Sequence, residues 1–398
     1  AYSATAVSVV ADSSVELAVV LTRVVDTDGW ISVDPHLHTE MSLDSKLTLR
    51  DRIASIAAEG VEIPVATDHD FVTDYAPLIA EMNLGAWLKA RSGAETSSNI
   101  IGHVNSWPLT PDYSLAAGGA IAWYDKGPDE VFAEMRAASA NGVIQVNHPR
   151  HESTDLFNVI DFDAATGTAL ASGSDIGFPG TNLNTLDFDA LEVANSFANE
   201  AFSTVFADWL GLTASGRVVT ATGSSDSHKN KVYAGEARTF VYVGIGNDEP
   251  ASVDLEAVDA ALIAGKAVVA QGAFVTAAII DPSTGLAAPL GTVPDLSGQS
   301  DLEVEVLVQA PPWMPLSALQ IYSGRNMVEE IPIDANETAV IRYAGRRTIA
   351  LENIDSFIVV RVEPGDRADP VIEAPKPSFT NALRYDRDGD GAWQPVPM

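Results

Sequence analysis

The chain has 398 residues with 55 acidic against 23 basic side chains, a net charge of −32 that disfavours nucleic-acid or anionic-membrane partners, since both need a basic face. It contains no cysteine, which excludes disulfides, thiolate metal sites, iron–sulfur clusters and cysteine nucleophiles, so any transition metal must take His and carboxylate ligands. A hydrophobic share of 46% and a mean hydropathy of +0.08 exclude a disordered chain and suit two or three cored domains.

In chain order, residues 1–29 read as an N-terminal β lead-in: 14–25 (SVELAVVLTRVV) is rich in Val and Leu, and turn residues at 26–29 end it. Arg23 and Asp26 interrupt this stretch well short of the roughly 18 apolar residues of a membrane span. The opening at Ala1 reads as a chain processed or cut from something longer, and the acidity and lack of cysteine are compatible with an extracellular, periplasmic or halophilic origin.

From 30 to about 242, short apolar runs alternate with helical patterns, as in βα units around a mostly parallel sheet. Strands are expected at 31–34, 63–67, 88–94, 143–147, 190–194 and 217–222, each running into a polar cluster. Thr48, with Asp51 three residues on, predicts a helix whose inner face is Leu49, Ile53, Ile56 and Ala57 and whose stop is Gly60. A second helix is expected from Pro128 to the Asn141-Gly142 terminator, with Val131, Met135 and Ala138 inward. After a linking helix at 253–264, strands are expected at 274–280, 302–309, 319–322, 339–343 and 357–362. Alternation such as Leu302-Glu303-Val304-Glu305-Val306 implies one buried and one wet face, hence a β-sandwich. Three regions follow: a lead-in at 1–29, an α/β unit at 30–268 and an all-β, sandwich-like domain at 269–398 with an acidic tail.

The histidines carry the functional signal. Six of seven lie in or beside the strand-ending clusters: His36 and His38 in Asp34-Pro35-His36-Leu37-His38, His69 in Thr67-Asp68-His69, His103 in Gly102-His103-Val104-Asn105, His148 in Asn147-His148-Pro149, and His228 in Asp226-Ser227-His228. Asp44, Glu95 and Asp226 accompany them. Side chains two apart on a strand share a face, so H-x-H and D-x-H each aim two ligands at one cation. If the strands are parallel neighbours, their C-terminal ends meet at one rim.

This ordered set of H-x-H, an Asp six residues later, T-D-H, G-x-E, a further His, N-H-P and D-x-H resembles the PHP (polymerase and histidinol phosphatase) superfamily of metal-dependent hydrolases over residues 30–240. Gly93-Ala94-Glu95, Gly102-His103-Val104-Asn105, Leu191-Glu192-Val193-Ala194-Asn195, Thr380-Asn381 and 386–391 are similar to its carbaryl-hydrolase-like (CehA/McbA) branch. The resemblance implies a distorted (β/α)7 barrel holding two or three divalent ions of zinc, manganese or iron. It places His36, His38 and Asp226 on the first metal, with Glu95 bridging, and Asp44, His69 and His228 on the second. Glu95, His103 and His148 would hold the third, and without His103 the site would be binuclear.

The implied reaction is hydrolysis by a metal-bridging hydroxide, with phosphoesters favoured because clustered cations accept non-bridging phosphate oxygens. The expected partner is a small-molecule phosphoester or ester. Carboxyl-ester, amide or carbamate hydrolysis on the same metals is the alternative, and a binding module that retains the fold is another. Arg150 and His151 are candidates to contact substrate or protonate the leaving group, against a plain reading as solvated surface. Asp68 is a candidate catalytic neighbour that orients a ligand histidine or caps a loop, and Lys229 is a candidate outer partner or simply exposed. Asp386, Asp388 and Asp390, followed by Gly391, match the first half of a calcium loop, but its twelfth position is Pro397 rather than Glu, so an acidic turn is the competing reading.

Overall fold

In the computed structural model, which describes residues 7–18, 20, 22–196, 201–288, 290–366 and 375–395, the capped helices form where their caps predict. Thr48 accepts the Asp51 amide and Gly60 takes left-handed backbone (φ 65°), bounding the helix Leu49–Glu59. Glu130 reaches back to the Gly127 amide at 2.9 Å to start Pro128–Ala138, and Asp254 caps Leu255–Ile263.

Seven strands surround the histidine clusters: Trp30–Leu37, Ile63–Ala66, Ala94–Ser98, Gly102–Trp107, Val143–Val146, Ala190–Asn195 and Thr220–Ser224. Their ladders belong to two sheets. Trp30–Leu37 and Ile63–Ala66 pair in parallel within a ten-stranded sheet, while the other five form a sheet of their own in the spatial order 220–224, 190–195, 143–146, 102–107, 94–98. Two parallel bridges join the sheets: Leu37 to Ser227, at the C-terminal ends of Trp30–Leu37 and Thr220–Ser224, and His69, just past Ile63–Ala66, to Glu95 near the start of Ala94–Ser98. The mixed α/β class therefore holds, but among the described residues no continuous ladder closes a (β/α)7 barrel. One reason is local: Ala94–Ser98 and Gly102–Trp107 are an antiparallel hairpin, not two parallel strands linked by a helix. Gly102 turns it at φ 67°, where a Cβ would lie 2.7 Å from the Asp155 backbone.

In the C-terminal part, Asp301–Gln309 alternates as read, with Leu302, Val304, Val306 and Val308 buried. It pairs with Phe274–Ile280 and Ile341–Ala350, and this sheet shares an apolar core with Leu316–Ser323 and Ser356–Pro364. Those last strands belong to the ten-stranded sheet, because Ser378–Thr380 pairs with Ser356–Pro364 on one side and Ala267–Ala270 on the other. Hydrogen bonding thus crosses position 268.

The lead-in strand is a correction. Residues 1–6, 19 and 21 lie outside the described ones, and the rest of 7–29 forms no strand, with Val15, Leu17 and Val20 exposed. Val-rich sequence favours a strand only where another strand offers a ladder, and none does here. The strand expected at 88–94 shrinks to Arg91–Ser92, and that at 217–222 begins at Thr220. The helix Phe202–Ala214 was not predicted: it is buried on nearly every side, through Phe202, Val205, Phe206, Trp209, Leu210 and Leu212, and so lacks an amphipathic period. No helix among the described residues is long and apolar enough to cross a membrane.

Candidate metal centre

Two buried groups bring the H-x-H and D-x-H segments together. Asp34 accepts from the Ser225 hydroxyl (2.6 Å), the Ser225 amide (3.1 Å) and the Gly235 amide (2.7 Å). Arg52 reaches in from its helix and donates to the His38 carbonyl (2.8 Å) and to the hydroxyl and carbonyl of Ser227. His36 and His38 are thereby set beside Asp226 and His228. Two members of the cluster have positive backbone φ, His148 at 22° and Asp226 at 50°, a conformation that persists only where surrounding contacts fix it.

All nine sequence-predicted ligands converge. His36 Nε2 lies 3.2 Å from Glu95 Oε1 and 3.3 Å from Asp226 Oδ1, and His38 Nε2 lies 3.2 Å from the same Asp226 oxygen. Glu95 Oε1 also lies 3.0 Å from His103 Nδ1 and 3.6 Å from His148 Nε2, while Oε2 lies 2.8 Å from His69 Nδ1 and 3.5 Å from His38 Nε2. Asp44 stands at the exposed edge, its Oδ2 3.4 Å from His69 Nε2 and 3.2 Å from His228 Nε2. Potential ligand atoms gather in four overlapping triads: His36/His38/Asp226, His38/His69/His228, His36/Glu95/His148 and His69/Glu95/His103. Sequence reasoning paired His103 with His148 on Glu95, whereas the triads pair His103 with His69 and His148 with His36.

The residues fit a cation. His36 Nε2, His38 Nε2 and Glu95 Oε2 are buried with no hydrogen-bond partner, which is costly for polar atoms unless an ion takes their lone pairs. Ligands about 2.1 Å from one ion lie about 3.0–3.5 Å from each other, the spacing seen around Asp226 Oδ1. Outer partners aim the rings. His36 Nδ1 donates to Glu192 (2.8 Å) and His228 Nδ1 donates to the Asp226 carbonyl (2.9 Å), acceptors that cannot donate, so in the neutral ring Nε2 is the nitrogen that offers a lone pair to a metal. Ser42 gives its proton to Asp68 (2.8 Å) and accepts from His38 Nδ1 (3.0 Å), with the same result. His69 Nε2 and His228 Nε2 sit 3.4 Å apart, an arrangement a shared cation would relieve.

The electrostatics point the same way. Burial opposes charge on His36 and His148, yet neighbouring carboxylates, Asp226, Glu95 and Glu192 for His36 and Asp155 and Glu95 foremost for His148, hold both imidazoles well above their ordinary range. His69, half-buried, is pushed up to about 10 by Glu95 and Asp44. Burial drives His38 down to about 4 against the pull of Asp226 and Glu95. Glu95 is held well below the carboxylate range despite its burial, by His103, His36 and His69. Positive charge is what this cage of carboxylates demands.

Other predicted residues fare differently. Asp68 does not touch a ligand imidazole; it is buried and accepts from the Thr39 amide (2.6 Å) and from the hydroxyls of Thr39, Ser42 and Thr73, and so acts on His38 through Ser42. Arg150 is a correction. Its guanidinium is bidentate on Asp208 (2.8 and 3.0 Å) and donates to the carbonyls of Phe157 and Phe162, so its nitrogens are committed inside the fold. His151 packs its ring 6.2 Å from that of His148. Lys229 is exposed. In the acidic C-terminal loop the converging group is Asp355, Asp386 and Asp388, while Asp390 caps the Ala392 amide and Pro397 lies outside the described residues. Sequence reasoning missed Asp355, the outer partners Glu192, Ser42 and Asn195, and Asn147, which donates to Glu95 at 2.8 Å. Glu192 and Asn195 stood inside a quoted motif, but nothing in it gave their direction.

No protein-family description and no curated protein matches the chain. Among solved structures that match is one described as a putative metal-dependent phosphoesterase from Bifidobacterium adolescentis, with 15% identity over 56% of this chain and 93% of that one and a TM-score of 0.31.

Proposed function

We propose that this chain is a metal-dependent hydrolase of the PHP type, acting on phosphoesters. The observation that carries the reading is the convergence in one cage of His36 Nε2, His38 Nε2 and Glu95 Oε2, all buried and without a hydrogen bond. Two or three cations would be held within the overlapping groups His36/His38/Asp226, His38/His69/His228 with Asp44 at its edge, His36/Glu95/His148 and His69/Glu95/His103. Divalent ions there supply Lewis acidity to the scissile bond and lower the pKa of water toward neutrality. The protein fixes ring orientation, excludes water behind the cage, and offers His151 as a proton donor beside His148. An anionic substrate is favoured by Lys46, Lys229 and Lys231, exposed on the two loops that bear Asp44 and His228 and meet through the Ser45 hydroxyl on the His228 carbonyl (2.9 Å). The acidity and the lack of cysteine support an extracellular or periplasmic setting.

A second reading, ester, amide or carbamate hydrolysis, is favoured by an aromatic wall. Trp123 stacks on Tyr124 at 4.4 Å and donates to Asp70, the neighbour of His69, at 3.4 Å. Metal analysis, with assays on bis(p-nitrophenyl) phosphate and p-nitrophenyl acetate, separates the two. Preferential phosphodiester turnover supports the first, preferential acetate turnover the second, and a metal-free, inactive protein overturns both in favour of a binding module.

A further inference from the structure

One buried carboxylate outside the ligand set touches two members of it and reaches a third through Asn195. Glu192, 1% exposed, accepts from His36 Nδ1 (2.8 Å) and the Ser224 hydroxyl on one oxygen. Its other oxygen accepts from the backbone amide of His148 (2.7 Å) and from Asn195 Nδ2 (2.9 Å). Asn195 Nδ2 in turn donates to Asp226 Oδ2 at 3.2 Å. Four donors converge on a group that only accepts when ionised, so a carboxylate is the side chain that fits without a donor facing a donor. The strand is built to aim it: the pairing register between Ala190–Asn195 and Thr220–Ser224 shifts directly after Glu192, and such a bulge redirects a strand side chain.

We infer that Glu192 is the positioning residue that pre-organises one half of the metal centre, the half formed by His36, His148 and Asp226. It fixes the His36 tautomer, pins the His148 backbone in its positive-φ conformation, and orients Asp226 through Asn195. The other half has separate supports: His38 rests on Ser42, His69 on Ser97 (2.7 Å) and His228 on the Asp226 carbonyl. Loss of Glu192 therefore unequally affects the centre. The triads His36/His38/Asp226 and His36/Glu95/His148 weaken, while His38/His69/His228 and His69/Glu95/His103 keep their orienting contacts. This inference rests on the metal-centre reading above.

The test is titration of the full chain with Zn2+ against a chromophoric chelator, and with Co2+ by its visible absorption. Glu192→Gln keeps the volume but places an amide N–H against donors. It is expected to lower affinity at part of the sites by about 10–100-fold and to change that part of the Co2+ spectrum, leaving the rest as in wild type. Glu192→Asp, which restores the charge with a shorter reach, should recover part of the loss. If Glu192→Gln does not fold, Asn195→Ala, which removes the arm to Asp226 together with one donor to Glu192, should weaken the same subset and spare the other. Wild-type affinity and spectrum in the folded variant overturn the inference alone, as does a uniform loss at every site. A wild-type chain that takes up neither ion overturns the metal-centre reading along with it.

Discussion

The histidine centre and the acidic C-terminal loop both gather metal-competent side chains, yet they satisfy those side chains in opposite ways. In the loop, Asp386 accepts from the Gly389 amide (2.6 Å) and the Gly391 amide (2.8 Å), and Asp355 accepts from the amides of Arg387 and Gln394 (both 2.7 Å). Its carboxylates are already employed in closing a turn. In the centre, backbone and outer side chains occupy Nδ1 of His36, His38 and His228 and leave His36 Nε2 and His38 Nε2 buried without a hydrogen bond. Convergence of ligand types is common to both regions; a buried lone pair with nothing to receive it belongs to the centre.

The largest effect should come from breaking the centre. Glu95→Gln removes the charge that faces His36, His38, His69, His103 and His148, and turnover on bis(p-nitrophenyl) phosphate should fall by at least about a thousand-fold with metal content reduced. Asp386→Asn should leave turnover within about two-fold while lowering Tm, since it disturbs a turn and no ligand. Comparable turnover losses in the two variants would erase the contrast between the regions.

The next effect is protonic. His36, His69 and His148 have raised pKa values in the metal-free protein, so at pH 7 they carry protons that an incoming divalent ion must displace. Metal uptake should therefore release protons, and calorimetry in buffers of different ionisation heat should show it; affinity should fall as pH falls. The sign for folding is opposite. His69 rises from an ordinary 6.5 to about 10, so the stability its imidazolium gives the metal-free protein is full below pH 6.5 and lost as pH climbs through 10. A His69→Gln variant should lack this alkaline decline, and an equal decline in both proteins would count against the assignment.

The same distinction explains what could be read in the chain. Four ligands, His36, His38, Asp226 and His228, were legible from spacing, two residues apart at a strand end, whereas Asp44, His69, Glu95, His103 and His148 were legible only through the order of motifs that resembles the PHP superfamily. Their supports were not, because Glu192 reaches His36 across 156 positions and Asn195 reaches Asp226 across 31, and no local pattern encodes such contacts. Arg150 was misread for the complementary reason: standing two residues after His148 fixes its place in the chain but not the way its side chain turns, and Asp208, 58 residues on, claims it. Arg150→Met should accordingly cost about 3 kcal/mol of stability by leaving buried Asp208 unpaired, measured by urea denaturation. Any activity change should track the unfolded fraction; a folded variant with lost turnover would restore Arg150 as a substrate contact. The lead-in strand failed on partners as well, since a Val-rich run becomes a strand only beside another.

The smallest expected effect concerns calcium. An ion entering between Asp355, Asp386 and Asp388 must compete for oxygens that four backbone amides already occupy, and the bidentate carboxylate expected at the twelfth loop position is replaced by Pro397. A ligand stabilises a fold by RT ln(1 + [L]/Kd), so at 1 mM calcium a Kd near the millimolar range yields only about 0.4 kcal/mol. Thermal denaturation with and without 1 mM Ca2+, with the histidine centre loaded beforehand so that it contributes no difference, should move Tm by no more than about 1–2 °C. A larger shift that Asp388→Asn abolishes would place a true cation site in the loop and show that amide-capped carboxylates do not exclude one. The contrast between the two regions would then rest on burial and ligand type, not on whether their lone pairs are already engaged.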